Sequence, residues 1–327
     1  MVSSSAGAGD LVLGIDIGTT NWKIVAYDLN GEARARYSCP TKTHHEGGGR
    51  ASYYPEEVWE TVCEGIRSIG QQLGGLEAIK SISMTSMGES GVLVDEKGEP
   101  IYPAIAWFDP RTQEQLEFWE RNADKMPPSR IYEITGLPLQ YIPSVNKLMW
   151  IKKHEPGVYA RAKKWLCMAD FVGFKLTGEA VMDYSVASRT MALDLKRLAW
   201  SEEILEFAGI DPGLFPRLAP SGTPLGKVCA RAAEETGLSR QTLVSVGGHD
   251  HICGALTVRV FHTGDVLDSI GTAEAIVLVV DEPKLIPEMG ARGYAMGCHA
   301  ARGKYYFMGA LQTGGGAVEW MRKVFGE

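Results

Sequence analysis

The sequence predicts an α/β fold that contains a candidate internal repeat, on three observations. Short β-rich runs alternate with helical patterns along the chain. The stretch "LVLGIDIGTTNWKIVAYD" at 11–28 is echoed by "GDVLDSIGTAEAIVLVVDEP" at 264–283. The chain has 327 residues, 45% hydrophobic and 22% charged, which is long enough for two or more cores. With Gly18-Thr19 laid on Gly271-Thr272, Asp28 and Asp281 fall at the same offset of ten. Two independent hairpins with the same turn give the same match, so duplication and coincidence both stay open at this level.

The elements follow in order. "LVLGIDIG" and "WKIVAYD" read as strands joined at Gly-Thr-Thr, "NGE" at 30–32 is a turn, and a third strand is expected near 33–39. "PEEVWETVCEGIRSIGQQLG" opens on proline and acids and closes on glycine. Val58, Val62, Ile66 and Ile69 recur in it at helical spacing. "IKSISMTSM" is a strand, and "GVLVDEKGEPI" a hairpin turning at Gly98. A helical middle is expected from about 111 to 210, interrupted by "MPPS", "TGLPL" and "HEPG". "VSVGGHDHICGAL" then restores the strand and helix pattern.

Composition narrows the function classes. A net charge of −7 with no basic stripe argues against a nucleic-acid partner. The longest uncharged apolar run, "AIVLVV" at 275–280, is strand-length, so no membrane partner is expected. "MVSSSAGAGD" has neither the basic start nor the apolar core of a secretory signal and reads as a flexible tail, 1–9, or an expression remnant; the expected location is the cytoplasm. Cys39, Cys63, Cys167, Cys229, Cys253 and Cys298 form no CxxC pair and are expected as reduced, packed thiols.

The first turn carries more charge than a plain hairpin needs. Gly18 lets the backbone approach an oxyanion, Thr19 and Thr20 offer hydroxyls, Lys23 adds a positive charge, and Asp16 can hold the Mg²⁺ that accompanies phosphates. Two such Gly-Thr tips could offer donors to a polyphosphate from both sides. GxxxxGK[ST] and a strand-linked GxGxxG are absent. An ordinary tight turn with a surface Asp and Lys accounts for the same residues, and that reading stays open.

Five segments together resemble one family. "GIDIGTTNWKIVAYD", "AWFDPR" at 106–111, "KLMWIKKHEP" at 147–156, "GGHDHICGA" at 247–255 and "SIGTAEA" at 269–275 occur in the order and spacing of the FGGY carbohydrate kinases. The resemblance spans the chain from residue 10. It implies two actin-like, ribonuclease-H-like domains with mixed sheets flanked by helices, and ATP and sugar meeting in the cleft. Residues 10–254 would be the sugar-binding domain and 255–327 the start of the nucleotide-binding domain. The family's chains run past residue 327, so the second domain is expected to be incomplete and its adenine-cradling segment absent.

Carried over residue by residue, the resemblance makes Asp16, Gly18, Thr19, Thr20, Asn21 and Lys23 the first phosphate loop, and Gly271 and Thr272 the second. "MGALQTGGGAVEWMRKVFG" resembles a nucleotide-contacting stretch of glycerol kinases, which places Gly315 and Glu319 near ATP; a glycine-rich turn before an amphipathic helix fits it equally. Asp250 becomes the general base. A sugar hydroxyl is a poor nucleophile, and transfer of the γ-phosphoryl calls for a carboxylate that accepts its proton while Mg²⁺ and donors neutralise the phosphate oxygens. A helix-capping aspartate is the alternative. His249 and His251 lack a third ligand for zinc; His251 is read as contacting substrate and His249 as packing. His44-His45 sits in a polar, glycine-rich loop expected to be solvated.

Substrate contacts are expected from Glu89, Trp107 and Asp109, since sugars are held by forked polar side chains and an aromatic face. An exposed turn Glu, a core Trp and a capping Asp are the structural alternatives. Gly88 and Ile142 stand where glycerol kinases carry arginine and a substrate tyrosine, which disfavours glycerol. "WFDPR" and "KLMWIKKHEP" lean toward ketose kinases such as xylulokinases, although Glu89 replaces their histidine. Gluconate and other polyol kinases remain alternatives. So do a non-kinase ATPase of the actin type and a catalytically inactive fragment, and a homodimer is admitted.

Overall fold

The computed structural model describes residues 9–270, 274–311 and 314–326. The chain forms two compact units. The first comprises 1–110, 151–183 and 213–250, the second 111–150, 184–212 and 251–327.

The first unit is built on a six-stranded sheet in the order Pro224–Lys227, Leu243–His249, Ile79–Ser86, Leu11–Ile17, Asn21–Asp28, Ala33–Pro40. Its three middle-left strands, Leu243–His249, Ile79–Ser86 and Leu11–Ile17, run parallel. The outer pairings are antiparallel. Alternation drives the first strand: Leu11, Leu13, Ile15 and Ile17 are buried, while Val12 is exposed. The helix Pro55–Leu73 begins with proline and two acids and stops where Gly74 turns left-handed at φ 76°. Its Val58, Val62, Ile66 and Ile69 are buried in the same core as Ile15, Ile24, Ile82 and Phe171. Each such side chain stabilises the fold by about 1.5–3 kcal/mol relative to exposure. The hairpin after Gly91–Val94 turns at Gly98, φ 76°, with Asp95 Oδ1 accepting the N–H groups of Lys97 and Glu99.

The second unit carries an antiparallel sheet in the order Val266–Ile270, Glu274–Val280, Tyr305–Leu311, Ala295–Cys298. The same unit includes the helices Gln113–Arg121, Pro128–Thr135 and Glu202–Ala208. The two stretches compared in sequence each contain an antiparallel strand pair, Leu11–Ile17 with Asn21–Asp28 in the first unit and Val266–Ile270 with Glu274–Val280 in the second. Their registers differ by one residue: Ile17 faces Trp22, whereas Ile270 faces Glu274.

Two expectations are corrected. The middle of the chain is not purely helical, because Lys164–Cys167 pairs with Gly91–Val94 and Val181–Asp183 with Arg217–Ala219. Strands of three or four residues are too short to leave a readable periodicity; only their distant partners create them. His44-His45 is not a loop but a short strand paired with Ala51-Ser52, and His44 Nε2 lies 2.7 Å from Glu57 Oε2. None of the six cysteines forms a disulfide, and Cys63, Cys167 and Cys298 are buried. Among the described residues no helix is long and apolar enough to cross a membrane.

Candidate active site

The carboxyl ends of the three parallel strands converge on one edge of the first unit's sheet. Asp16 lies beside Thr85 and Ile17 beside Ser86; Gly248 also lies beside Thr85, and His249 beside Ser86. The segments that leave this edge are the Gly18–Thr20 turn, the Met87–Glu89 corner and Asp250, and clefts outside such strand ends are where open α/β sheets bind ligands.

The turn is tightly braced. A Cβ at Gly18 would stand 2.7 Å from the Asn21 carbonyl oxygen, so only glycine closes it. The Thr41 hydroxyl donates to the Gly18 carbonyl at 2.7 Å, and the Thr41 N–H to the Thr20 carbonyl at 3.0 Å. Thr41 lies outside every motif, and no sequence signal marks it. Thr20 and Asn21 are exposed. Lys23 faces Asp16 across the hairpin, Nζ to Oδ2 3.6 Å.

Asp16 meets the requirement for a cation ligand. Its Oδ1 is buried without a hydrogen-bond partner, a condition that costs stability unless something occupies the lone pairs. Burial pushes its carboxyl above the usual carboxylate range, with Lys23 opposing. A hard divalent cation on this oxygen favours the ionised form and satisfies the orphaned atom.

At the second strand end, the Met87 N–H donates to the Ile17 carbonyl at 3.1 Å, and the chain then turns at Glu89. Glu89 is buried at 5% exposure and holds φ at +63°, a left-handed conformation that glutamate adopts at a cost. Trp107 stands edge-on to Phe108, 5.4 Å between ring centres, and its indole N–H donates to Thr19 Oγ1 at 3.0 Å. Asp109 is fully buried, and its Oδ2 accepts the Ala51 N–H at 2.6 Å, which ties the segment after the short strand Ala104–Ile105 to the strand Ala51–Tyr53.

At the third strand end, the pairing with Ile79–Ser86 slips between Ser245 and Gly248. The strand then passes directly into the helix Asp250–Thr257, so Asp250 opens the helix as expected. The Asp250 side chain is 28% exposed, and His249 Nε2 lies 3.4 Å from its Oδ1. His249 is buried.

In the second unit His251 is exposed. Gly315 lies in the first turn of the helix Gly314–Phe325, and Glu319 on the same helix pairs with Arg322 at 3.2 Å. The glycine run is therefore part of the helix rather than a turn ahead of it. Gly271 and Thr272 lie outside the described residues.

Residues 11–257 match the FGGY family of carbohydrate kinases, N-terminal domain. The chain is 30% identical to a gluconokinase of Bacillus subtilis over 96% of its own length and 60% of the relative's. It is 32% identical to a xylulose kinase of Lactococcus lactis over 97% and 62%. Among solved structures, a xylulose kinase from Rhodospirillum rubrum superposes with a TM-score of 0.89 at 27% identity, covering 96% of this chain and 63% of that one. A gluconate kinase from Lactobacillus acidophilus does so with 0.88 at 27%, covering 96% and 62%. The chain spans about three fifths of the length of these relatives.

Proposed function

The chain belongs to the FGGY family of carbohydrate kinases, and from that premise we propose that the protein transfers the γ-phosphoryl group of ATP to a hydroxyl of a sugar or polyol, a neutral ketose in first place. The observation that carries this reading is the convergence of Thr19, Glu89 and Asp250 at adjacent parallel strand ends. Asp250 is the general base: it orients the attacking hydroxyl and accepts its proton, and His249 at 3.4 Å steadies the carboxylate. The Gly18 turn brings backbone and the Thr19 and Thr20 hydroxyls to the phosphates, with Lys23 as the local positive charge. Asp16 would hold Mg²⁺, which when bound neutralises phosphate oxygens. Glu89 and Asp109, with Trp107, receive the sugar.

A neutral substrate is favoured by charge. Four acids, Asp16, Glu89, Asp109 and Asp250, serve this edge, and Glu89 and Asp109 are buried. A substrate carboxylate meets repulsion there that a hydroxyl does not. Residues 10–254 form the sugar side in this reading, with His251 among its substrate contacts, and 255–327 begin the nucleotide side, with Gly271, Thr272, Gly315 and Glu319 assigned to it; the family match over 11–257 supports the division. We place the enzyme in the cytoplasm, where ATP is available.

The test is ADP release by the full-length protein with xylulose, gluconate and glycerol. The largest kcat/KM is expected for the ketose, and Asp250→Asn should lower kcat by roughly 10²–10⁴-fold with both substrates still bound. No ADP release with any of the three ends the kinase reading; a preference for gluconate ends the neutral-substrate reading alone.

A further inference from the structure

Trp107 and Thr19 are 88 positions apart in sequence, yet the indole N–H of one donates to the hydroxyl oxygen of the other at 3.0 Å. An indole nitrogen only donates, so Thr19 Oγ1 must accept, and its own proton is left to be given elsewhere. It points to Met87 Sδ at 3.9 Å, a thioether that accepts weakly. A phosphoryl oxygen is a far stronger acceptor, and a hydroxyl that already accepts one hydrogen bond donates more strongly. Met87 is buried and tied to Ile17, so it is a fixed resting acceptor beside the turn.

We propose that Trp107 is a positioning residue for the phosphate turn: its N–H holds the Thr19 hydroxyl as a dedicated donor to a nucleotide phosphate oxygen. The ring that lines the sugar site thereby sets nucleotide affinity as well. The proposal rests on the kinase reading above, and it assigns to Trp107 an effect that a lining residue or a packing residue lacks. A lining residue changes the sugar KM, and a packing residue changes stability.

The experiment is calorimetric titration of the full-length protein with MgADP, without sugar, for wild type, Trp107→Phe, Thr19→Val and the double variant. Phenylalanine keeps an aromatic face and removes the donor, and the double variant separates that loss from the smaller ring. Trp107→Phe should weaken MgADP by about 3–10-fold, the scale of one net hydrogen bond. The double variant should bind within about twofold of Thr19→Val alone, because both substitutions break the same interaction. Wild-type affinity in Trp107→Phe, or additive losses in the double variant, overturns the proposal. A second readout does not depend on how Trp107→Phe folds. The Trp107 indole N–H signal in a ¹⁵N spectrum should move in Thr19→Val and on addition of MgADP to wild type; a signal indifferent to both overturns it too. The outcomes separate from those of the kinase reading. MgADP binding that depends on Trp107, with no sugar phosphorylated, removes the kinase reading alone. Sugar phosphorylation with Trp107-independent MgADP affinity removes this inference alone, and a wild type that binds no MgADP removes both.

Discussion

Gly247 and Met84 lie backbone to backbone on neighbouring parallel strands: a Cβ on Gly247 would fall 1.3 Å from the Met84 carbonyl oxygen. That approach accompanies the slip in strand pairing between Ser245 and Gly248, a bulge that re-aims His249 and Asp250. Gly247→Ala must push the two strands apart. The expected result is a loss of stability of about 1–3 kcal/mol, the usual scale for overpacking, and a kcat loss larger than any change in nucleotide affinity, because Asp250 moves while the Gly18 turn does not. Chemical denaturation and steady-state kinetics on the same variant check both parts.

Glu89 holds a left-handed backbone that its side chain makes costly. Function and stability should therefore separate there. Glu89→Gly relieves the conformation and removes the carboxylate, so it should melt at or above the wild-type temperature while the sugar KM rises at least tenfold. Glu89→Ala keeps the strain and should lose the same activity without the gain, a difference between the two of about 1 kcal/mol. Equal melting of the two variants, measured by calorimetry, would remove strain from the account.

Asp16 should govern the metal requirement. With its carboxyl held above the usual range by burial, it must lose a proton to take up a cation, so Mg²⁺-nucleotide affinity should fall as pH drops through that raised value. Asp16→Asn should raise the Mg²⁺ concentration needed for half-maximal binding at neutral pH by tenfold or more and flatten its pH dependence. Titrations of nucleotide binding against Mg²⁺ at several pH values read both effects.

Asp170 supplies a stability prediction independent of substrate. It is buried at the start of the helix Met168–Thr177, where its Oδ2 accepts the Cys167 N–H at 3.1 Å. Burial and, next, the nearby Asp183 carboxylate push its carboxyl well above the ordinary value of 3.8. The folded chain therefore binds a proton that the unfolded chain releases, so this group's contribution is present below the ordinary value and is lost as pH rises through the raised one. Asp170→Asn keeps the acceptor for Cys167 without ionising. Its stability should depend less on pH than wild type across that window, as urea melts at stepped pH would show.

The strands Leu11–Ile17, Asn21–Asp28 and Ile79–Ser86 and the helix Pro55–Leu73 were determined by the sequence itself, because alternation, helical spacing, proline and glycine act within a few residues. The position of Asp250 at a helix start was likewise local. The pairing of Lys164–Cys167 with Gly91–Val94 was not, since a four-residue buried strand exists only through a distant partner. The site has the same division. Residue types suited to phosphate, cation and sugar were readable at Asp16, Gly18, Thr19, Glu89 and Trp107. Which of them meet was decided by the sheet order, which sets the ends of 11–17, 79–86 and 243–249 side by side. The Thr41 brace on Gly18, the orphaned Asp16 oxygen and the Trp107–Thr19 bond arise from that packing. No pattern along the chain encodes them, because a hydrogen bond across tens of residues depends on where the intervening core puts its two ends.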